Sequence, residues 1–421
     1  HVDLALQANL DLRQSWARLA QAAAQARIIG APLAPEVNLT SQAARTRSDG
    51  GSVGTQYASS WVLGFGLSWE IDLWRRIANR ADAASLLAAA TRQDVEQTAL
   101  ILTGTVTDTW FTIEAQSRLL AVIREQIRLS EKLLDIIEYR YANGLADALQ
   151  VYQQRLQLES VSAQIPPAQS QLETAINALM VLQGKPPESF VPVPIRASLP
   201  ALPPLPVLGS PAELVERRPD LKAARDRLEA ADREVAAAVA DMLPAISFSL
   251  GYDFRSSSFS DPFNSGLASI GGSLLQPLFD NDRRGAEVVR RRAIVLERMD
   301  AFSQAYLIAL REIEDALDQE RHQIELLEDI SVQLELAGRQ LEAAQRSYGD
   351  GVAEYLDVIS AVQTQQSLQR EQVSAHRLLL TYRANLYRAL GGSWMHDMPP
   401  PSDIAELESQ VGHSVTEENE T

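Results

Sequence analysis

The chain is one unit of about 208 residues written twice, and a repeat that long is a duplicated architecture rather than a solenoid of short modules. Asp11, Leu12, Arg18, Leu19, Ala22 and Pro35 recur 209 positions later as Asp220, Leu221, Arg227, Leu228, Ala231 and Pro244. The paired Arg75 and Arg76 return as Arg283 and Arg284. Tyr141, Gly144, Leu149 and Val151 return as Tyr348, Gly351, Leu356 and Val358, and Asn177, Leu182 and Gly184 as Asn385, Leu390 and Gly392. The length of 421 residues would by itself suggest two or three domains. The duplication argues for one object instead, because neither half shows a self-contained globular pattern.

Lys and Arg total 38 against 55 Asp and Glu, a balance of −17 that speaks against nucleic acid as a partner. The absence of cysteine excludes thiol catalysis, disulfides and cysteine metal sites, and fits a periplasmic or surface location. His1, His322, His376, His396 and His413 show no ligand spacing, so neither a metal site nor a cofactor is expected. Acidic pairs such as Glu314 with Asp315 and Glu328 with Asp329 read as solvated helix faces, and no triad or phosphate loop points to an enzyme. No signal peptide is visible and the chain opens inside an amphipathic helix, so an N-terminal segment is expected to have been removed or omitted. The longest uncharged stretches, 50–69 and 263–279, are too rich in Gly and Ser to be transmembrane helices. A membrane crossing would have to be made by strands.

Each half reads as helix, strand, strand, very long helix, turn, helix, an α+β pattern. The first structural repeat is 1–183, with a helix over 3–31, strands at 36–47 and 57–69 and a long helix over 73–140. The second is 211–396, with a helix over 211–242, strands at 245–255 and 266–277 and a long helix over 283–347. At 1.5 Å per residue each long helix spans roughly 100 Å and needs a lateral partner along its length. Leu119, Ile123, Ile127, Leu134, Ile137 and Tyr141 in one, and Ile313, Leu317, Ile324, Leu327, Leu334 and Leu341 in the other, offer the seam. After turns at Gly144 and Gly351 the chain continues as helices over 145–183 and 352–390, with a kink expected at Pro166 and Pro167. Residues 184–210 form a Pro-rich linker, and 397–421 an acidic tail expected to be disordered.

The strands carry the pattern closest to function. Tyr57, Trp61, Leu63, Phe65, Leu67 and Trp69 alternate with Ala58, Ser60, Gly64, Gly66 and Ser68, and Ile246, Phe248, Leu250, Tyr252 and Phe254 with Ser247, Ser249, Gly251 and Asp253. Four such runs of about 10–13 residues, with aromatics forming a girdle, match the strands of a membrane β-barrel, whereas a soluble sheet would need a helix to cover it. Four strands cannot close, so several chains must cooperate; three would give twelve strands continued by twelve helical rods. The pattern alone asks for an oligomer without choosing three.

The segment ERRPDLKAARDRLEAADREVAAAVADMLPAISFSLGYDF, with SWEIDLWRR at 68–76, QPLFDNDRR at 276–284, SYGDGVAEYLDVISAVQ at 347–363 and NLYRALGG at 385–392, resembles the TolC-like outer-membrane efflux proteins, most of all the OprM/NodT-like branch. The resemblance covers residues 1 to about 396. It implies a homotrimer with a shared twelve-stranded β-barrel in outer-membrane lipid, continued by a twelve-helix periplasmic α-barrel. It also implies docking to a periplasmic adaptor (membrane fusion) protein and an inner-membrane resistance-nodulation-division pump. Lipid anchoring through an N-terminal cysteine, common in the branch, is implied by the resemblance but has no cysteine here to support it. Relatives commonly place an aspartate and an arginine where this chain has Ser360 and Gln363.

Glycine at each tight turn is what a helix needs to reverse its chain. In a trimer the tips would converge on one axis, with Leu356 and Asp357, joined by Ser360 and Gln363, forming a constriction that acts as a gate. The second hairpin is the candidate because Glu354, Tyr355 and Asp357 replace Asp147, Ala148 and Gln150 of the first. Tyr141, Gly144, Leu145 and Ala146, with Tyr348, Gly351, Val352 and Ala353, are the expected adaptor contacts. Two other readings remain at this point: a type I secretion duct of the same fold, and a periplasmic coiled-coil adaptor, which would leave the amphipathic strands unexplained.

Overall fold

A computed structural model describes residues 1–50, 54–187, 200–206, 208, 210–257, 263, 265–392, 395 and 398–406. Most of the Pro-rich linker and the acidic tail from 407, where disorder is expected, lie outside them. In chain order the elements are α1 (Val2–Ala8), α2 (Leu10–Gly30), β1 (Glu36–Gly50), β2 (Gly54–Ile71), α3 (Arg76–Ala142), α4 (Ala148–Ser162) and α5 (Ile165–Leu182). There follow α6 (Leu214–Arg217), α7 (Pro219–Ala240), β3 (Ala245–Ser256), β4 (Ser265–Leu275), α8 (Arg283–Gly349) and α9 (Tyr355–Ala389). Both long helices run for 67 residues.

Local chemistry sets where the elements differ from the sequence reading. The helix expected over 3–31 breaks at Asn9, whose side chain accepts from the Leu12 amide and donates to the Leu182 carbonyl. That over 211–242 breaks at Arg218, held in β conformation ahead of Pro219. The kink at Pro166 and Pro167 falls just before them, at Ala163 and Gln164, so that the prolines occupy the first turn of α5, where their missing amides cost nothing. The strand expected to reach residue 277 ends at Leu275, two residues before Pro277. Positive φ at Arg75, Asn281 and Asp282 turns the chain sharply from strand into long helix. Asp72 caps α3, accepting from the amides of Ile77 at 3.0 Å and Ala78 at 2.7 Å.

The chain divides into two compact units, each drawing on both halves of the sequence. One comprises His1–Trp16, Val95–Pro219 and Tyr306–Ala405; the other contains Ala17–Asp94 and Asp220–Ala305. In the first unit the buried stripe of α8 is Ala309, Ala316, Gln323, Ile330 and Ala337, a strict seven-residue repeat. This lies one residue aside from the expected seam, and Ile324 is exposed. Small residues line the stripe because α9 packs against it, while Ile313 and Leu317 flank the contact beside Leu386 and Leu390. On α3 the expected seam is closer: Leu120 and Ile123 are buried against Val161 and Ala168, with Leu119 and Ile127 packed around them. In the second unit the helix contacts are Ala-rich, with Ala83, Ala90, Leu221, Ala230 and Ala237 buried.

A buried ion pair ties α8 to α9. Arg383 Nε donates to Glu320 at 2.7 Å, both side chains being 6% exposed, and a second Arg383 nitrogen donates to the Pro203 carbonyl. Burying two charges is repaid only while both remain. Glu320→Ala therefore costs about 3–5 kcal/mol of folding stability by stranding the guanidinium. Glu320→Gln, which keeps one acceptor, costs less; denaturant unfolding of the two variants checks the order.

Candidate functional site: an amphipathic sheet and two helical hairpins

The four strands form one antiparallel sheet in the order β1-β2-β3-β4, leaving β1 and β4 as edges. Directly paired residues share a face. Rows such as Leu39–Phe65–Tyr252–Ala268 and Val37–Leu67–Leu250–Ile270 therefore make one face apolar across all four strands. The opposite rows, Thr40–Gly64–Asp253–Leu267 and Asn38–Gly66–Gly251–Ser269, are mainly small and polar. The apolar face is open: Val37, Leu39, Phe65, Leu250, Tyr252, Ile270 and Leu274 are all exposed.

The aromatic residues of the expected girdle sit at three levels. Trp69 and Phe248 pair at the foot of the sheet, where the Trp69 indole donates to the Leu33 carbonyl at 3.1 Å. Phe65 and Tyr252 pair midway. Trp61, Phe254 and Tyr57 lie toward the hairpin ends, with Arg45 stacked 5.1 Å from the Tyr57 ring. Below the foot, Arg76 binds Glu70 at 2.6 Å and Arg284 binds Asp280 at 2.8 Å, and both approach Asp241. Arg76 and Arg284 are equivalent positions in the duplication.

Each hairpin turn is built by a Schellman motif. At the first, Leu145 N donates to Arg140 O and Gly144 N to Tyr141 O, with Gly144 at φ 72°. At the second, Val352 N donates to Ser347 O and Gly351 N to Tyr348 O, with Gly351 at φ 77°. The same conformation ends α5 at Gly184 and α9 at Gly391; the counterpart of Gly184 is thus Gly391, one residue before the Gly392 that the sequence repeat suggests.

Of the residues expected at the constriction, Leu356 is exposed at the start of α9. Asp357 is occupied locally, its carboxylate accepting from the Glu354 amide in a capping box. Ser360 bonds back to the Leu356 carbonyl, and Gln363 donates across to Gln157 of α4 at 2.7 Å. Among the expected adaptor contacts, Tyr141, Leu145 and Val352 are exposed, whereas Tyr348 lies against the core of the tip. The Tyr355 that distinguishes the second hairpin is buried, and packs with Ile137, Val151, Val358, Ile359 and Val362.

A ladder of side-chain amides that the sequence motifs do not announce joins α3, α4 and α9. Tyr355 Oη donates to Gln154 Oε1 at 2.7 Å while Gln154 Nε2 donates to the Ser130 carbonyl at 2.8 Å. Gln157 donates to Gln366 at 3.0 Å, and Gln126 donates to the Gln366 carbonyl and to Gln369. Nearer the turn, Tyr348 Oη donates to Gln150 at 2.8 Å. Gln150, Gln154 and Gln157 on α4, and Gln363, Gln366 and Gln369 on α9, recur at three- or four-residue steps, the signal that could have revealed the ladder. Burial raises the Tyr355 pKa, keeping its hydroxyl a donor. Among the described residues no group of His, Asp and Glu is placed to hold a metal ion, and no helix is long and apolar enough to cross a membrane.

The profile of the outer membrane efflux proteins matches residues 1–185 and 211–392. The chain belongs to the outer membrane efflux protein family. The efflux protein is 31% identical over 411 residues to the pyoverdine export outer membrane protein OpmQ of Pseudomonas aeruginosa, a match covering 93% of this chain and 84% of OpmQ. It is 29% identical over 403 residues to the outer membrane protein OprJ of the same species, covering 93% and 83%. Among solved structures, a membrane protein from Pseudomonas aeruginosa superposes with a TM-score of 0.87 at 27% identity, covering 94% of this chain and 90% of that one. The outer-membrane channel OprN superposes at 0.86 with 26% identity, covering 94% and 89%. This efflux protein is an outer-membrane channel, and its open apolar sheet face is the surface that such a location demands.

The buried ladder generates a prediction for this channel. Tyr355→Phe leaves the Gln154 carbonyl oxygen buried without its donor and costs about 1–3 kcal/mol. The measurement is the thermal unfolding midpoint, with exposed Tyr139→Phe expected to leave it unchanged.

Proposed function

We propose that three copies of the chain assemble into a closed exit duct, each giving its four strands to a twelve-stranded barrel in the outer membrane and its helices to a periplasmic α-barrel of twelve rods. The duct passively conducts substrates handed over by an inner-membrane resistance-nodulation-division pump through a periplasmic adaptor. The observation that carries this reading is a sheet with an open, mainly apolar face and two free edges. In hydrocarbon those edges must pair, and they can pair only with other copies. Residues 1–183 and 211–396 act as two near-equivalent staves of the wall.

The helical tips serve as the gate and as the adaptor contact. Leu145 and Val352, equivalent in the duplication and both exposed just after a turn glycine, supply apolar contacts for the adaptor, with Tyr141, Gly144, Ala146, Tyr348, Gly351 and Ala353 around them. Leu356 gives the constriction an apolar ring, while Asp357, fixed by its own helix start, adds negative charge beside it. Ser360 and Gln363 hold the following turn in place.

Single-channel recording tests the gate. Leu356→Ala is expected to raise the conductance of the closed state several-fold, and Asp357→Ala to lower cation preference. Unchanged conductance and selectivity in both variants would remove the gate from this hairpin while leaving the duct standing.

A further inference from the structure

Seven residues, Gln276–Asp282, lie between β4 and α8, and the two large hydrophobic side chains among them project outward: Leu278 is 92% exposed and Phe279 88%. They stand on a fixed base. On one side the Gln276 side chain donates to the Met242 carbonyl at 3.3 Å, and on the other Asp280 is held by Arg284 at 2.8 Å. Two large apolar side chains exposed on an anchored segment form a surface whose burial is favourable.

The protein contains its own template for that contact. At the foot of the sheet β2 extends below the start of β1, which pairs Glu36 with Ser68, and its last residues continue the ladder on β3 as far as Ile71 opposite Ile246. Ile71 stands four residues after Leu67 on the apolar face, and Leu278, three residues past the end of β4, stands four residues after Leu274 of that face, so an extended continuation of β4 would bring it to the matching position. Ile246 lies two residues after Pro244, and Val37 lies two residues after Pro35, the counterpart of Pro244 in the duplication. Val37 is 67% exposed on the other free edge of the sheet. The internal pair Ile71–Ile246 thus has two unpaired counterparts, Leu278 and Val37, at opposite edges of one chain.

We propose that residues 276–279 extend β4 onto β1 of a neighbouring copy, seating Leu278 against Val37 and directing Phe279, on the alternate side, toward Ile29 and Pro32 of that copy. The chemistry on the two sides agrees. Inside the chain this level is ionic, with Arg76 reaching Glu70 and Asp241. In the counterpart, Leu278 follows Pro277 and the position matching Asp241 is Pro32, so prolines stand where the internal join has Glu70 and Asp241. Ile29 and Pro32 belong to the apolar part of an open cleft at the foot of β1 whose other walls carry Glu36, Glu70, Arg76 and Arg80. The inference rests on the trimeric duct proposed above, because it needs β4 and β1 of different copies side by side.

The lack of cysteine in these 421 residues makes the test direct. The double variant Leu278→Cys with Val37→Cys, oxidised in isolated outer membranes, is expected to give covalent dimers and trimers, and each single variant none at the trimer position. Ser273→Cys combined in turn with Thr40→Cys, Gln42→Cys or Ala44→Cys reports the β4–β1 edge independently. Edge cross-links without a Leu278–Val37 cross-link would overturn the proposal and leave the trimer intact; no cross-link from any pair would overturn both. A single Phe279→Cys is expected to be shielded from a water-soluble maleimide in the assembled channel and to react at least ten-fold faster once the channel is dissociated. Labelling of the assembled form by a lipid-dissolved maleimide would place Phe279 in the bilayer and overturn its seat at Ile29 and Pro32.

Discussion

An edge strand cannot be left bare in hydrocarbon, and this constraint organises the rest of the molecule. Each unpaired N–H or C=O in lipid costs several kcal/mol, so a sheet that ends must end in water, under cover or against another chain. The β1-β2-β3-β4 sheet has an apolar face suited to lipid and two edges that lipid forbids. Its width makes it a fraction of a barrel rather than a barrel. The duplicated chain plan follows the same logic: two hairpins, one from each repeat, join through the β2–β3 ladder into a single sheet, and the proposed join between chains would solve the same problem a second time.

The helical hairpins depend on a different balance. Their core combines an apolar cluster around Tyr355 with a ladder of amides running between α3, α4 and α9. Apolar packing tolerates small shifts in register, whereas a buried amide left without its partner loses the full cost of its desolvation. The ladder therefore fixes how far along one another the helices lie. The strict seven-residue stripe of α8 does the same for its contact with α9, since alanines at the seam let the two backbones approach closely.

How much of this was legible in the sequence depends on the kind of signal. Period-two alternation in 57–69 and 245–255 located the strands and their apolar face, because a strand has only two sides. Gly144 and Gly351 marked the hairpin turns, since a left-handed residue strongly favours glycine. The helical seam is less legible: large residues such as Ile324 suggest it, while most buried positions of α8 carry small or polar residues, Ala309, Ala316, Glu320, Gln323 and Ala337, beside the one large Ile330. Tyr355 and Asp357 stood out as departures from the repeat, yet one is a core residue and the other caps its own helix; sequence identity does not say which way a side chain turns on a helix face. The amide ladder was missed because glutamine is ordinarily a surface residue, and only the coincidence of three helices makes it a core residue here.

That ladder has a consequence for the setting in which the channel works. Ion pairs weaken as salt rises and vanish when a partner titrates, so a joint built from them inherits the conditions of its surroundings. Primary amides carry no charge and bind no proton at ordinary pH. Between Ser130, Gln154, Gln157 and Gln366 the bonds run from amide to amide, hydroxyl or backbone carbonyl. These contacts are thereby insensitive to acidity and ionic strength, unlike the exposed Arg155–Glu138 pair that also joins α4 to α3, so the part of the wall that they hold keeps its register in dilute and in saline medium.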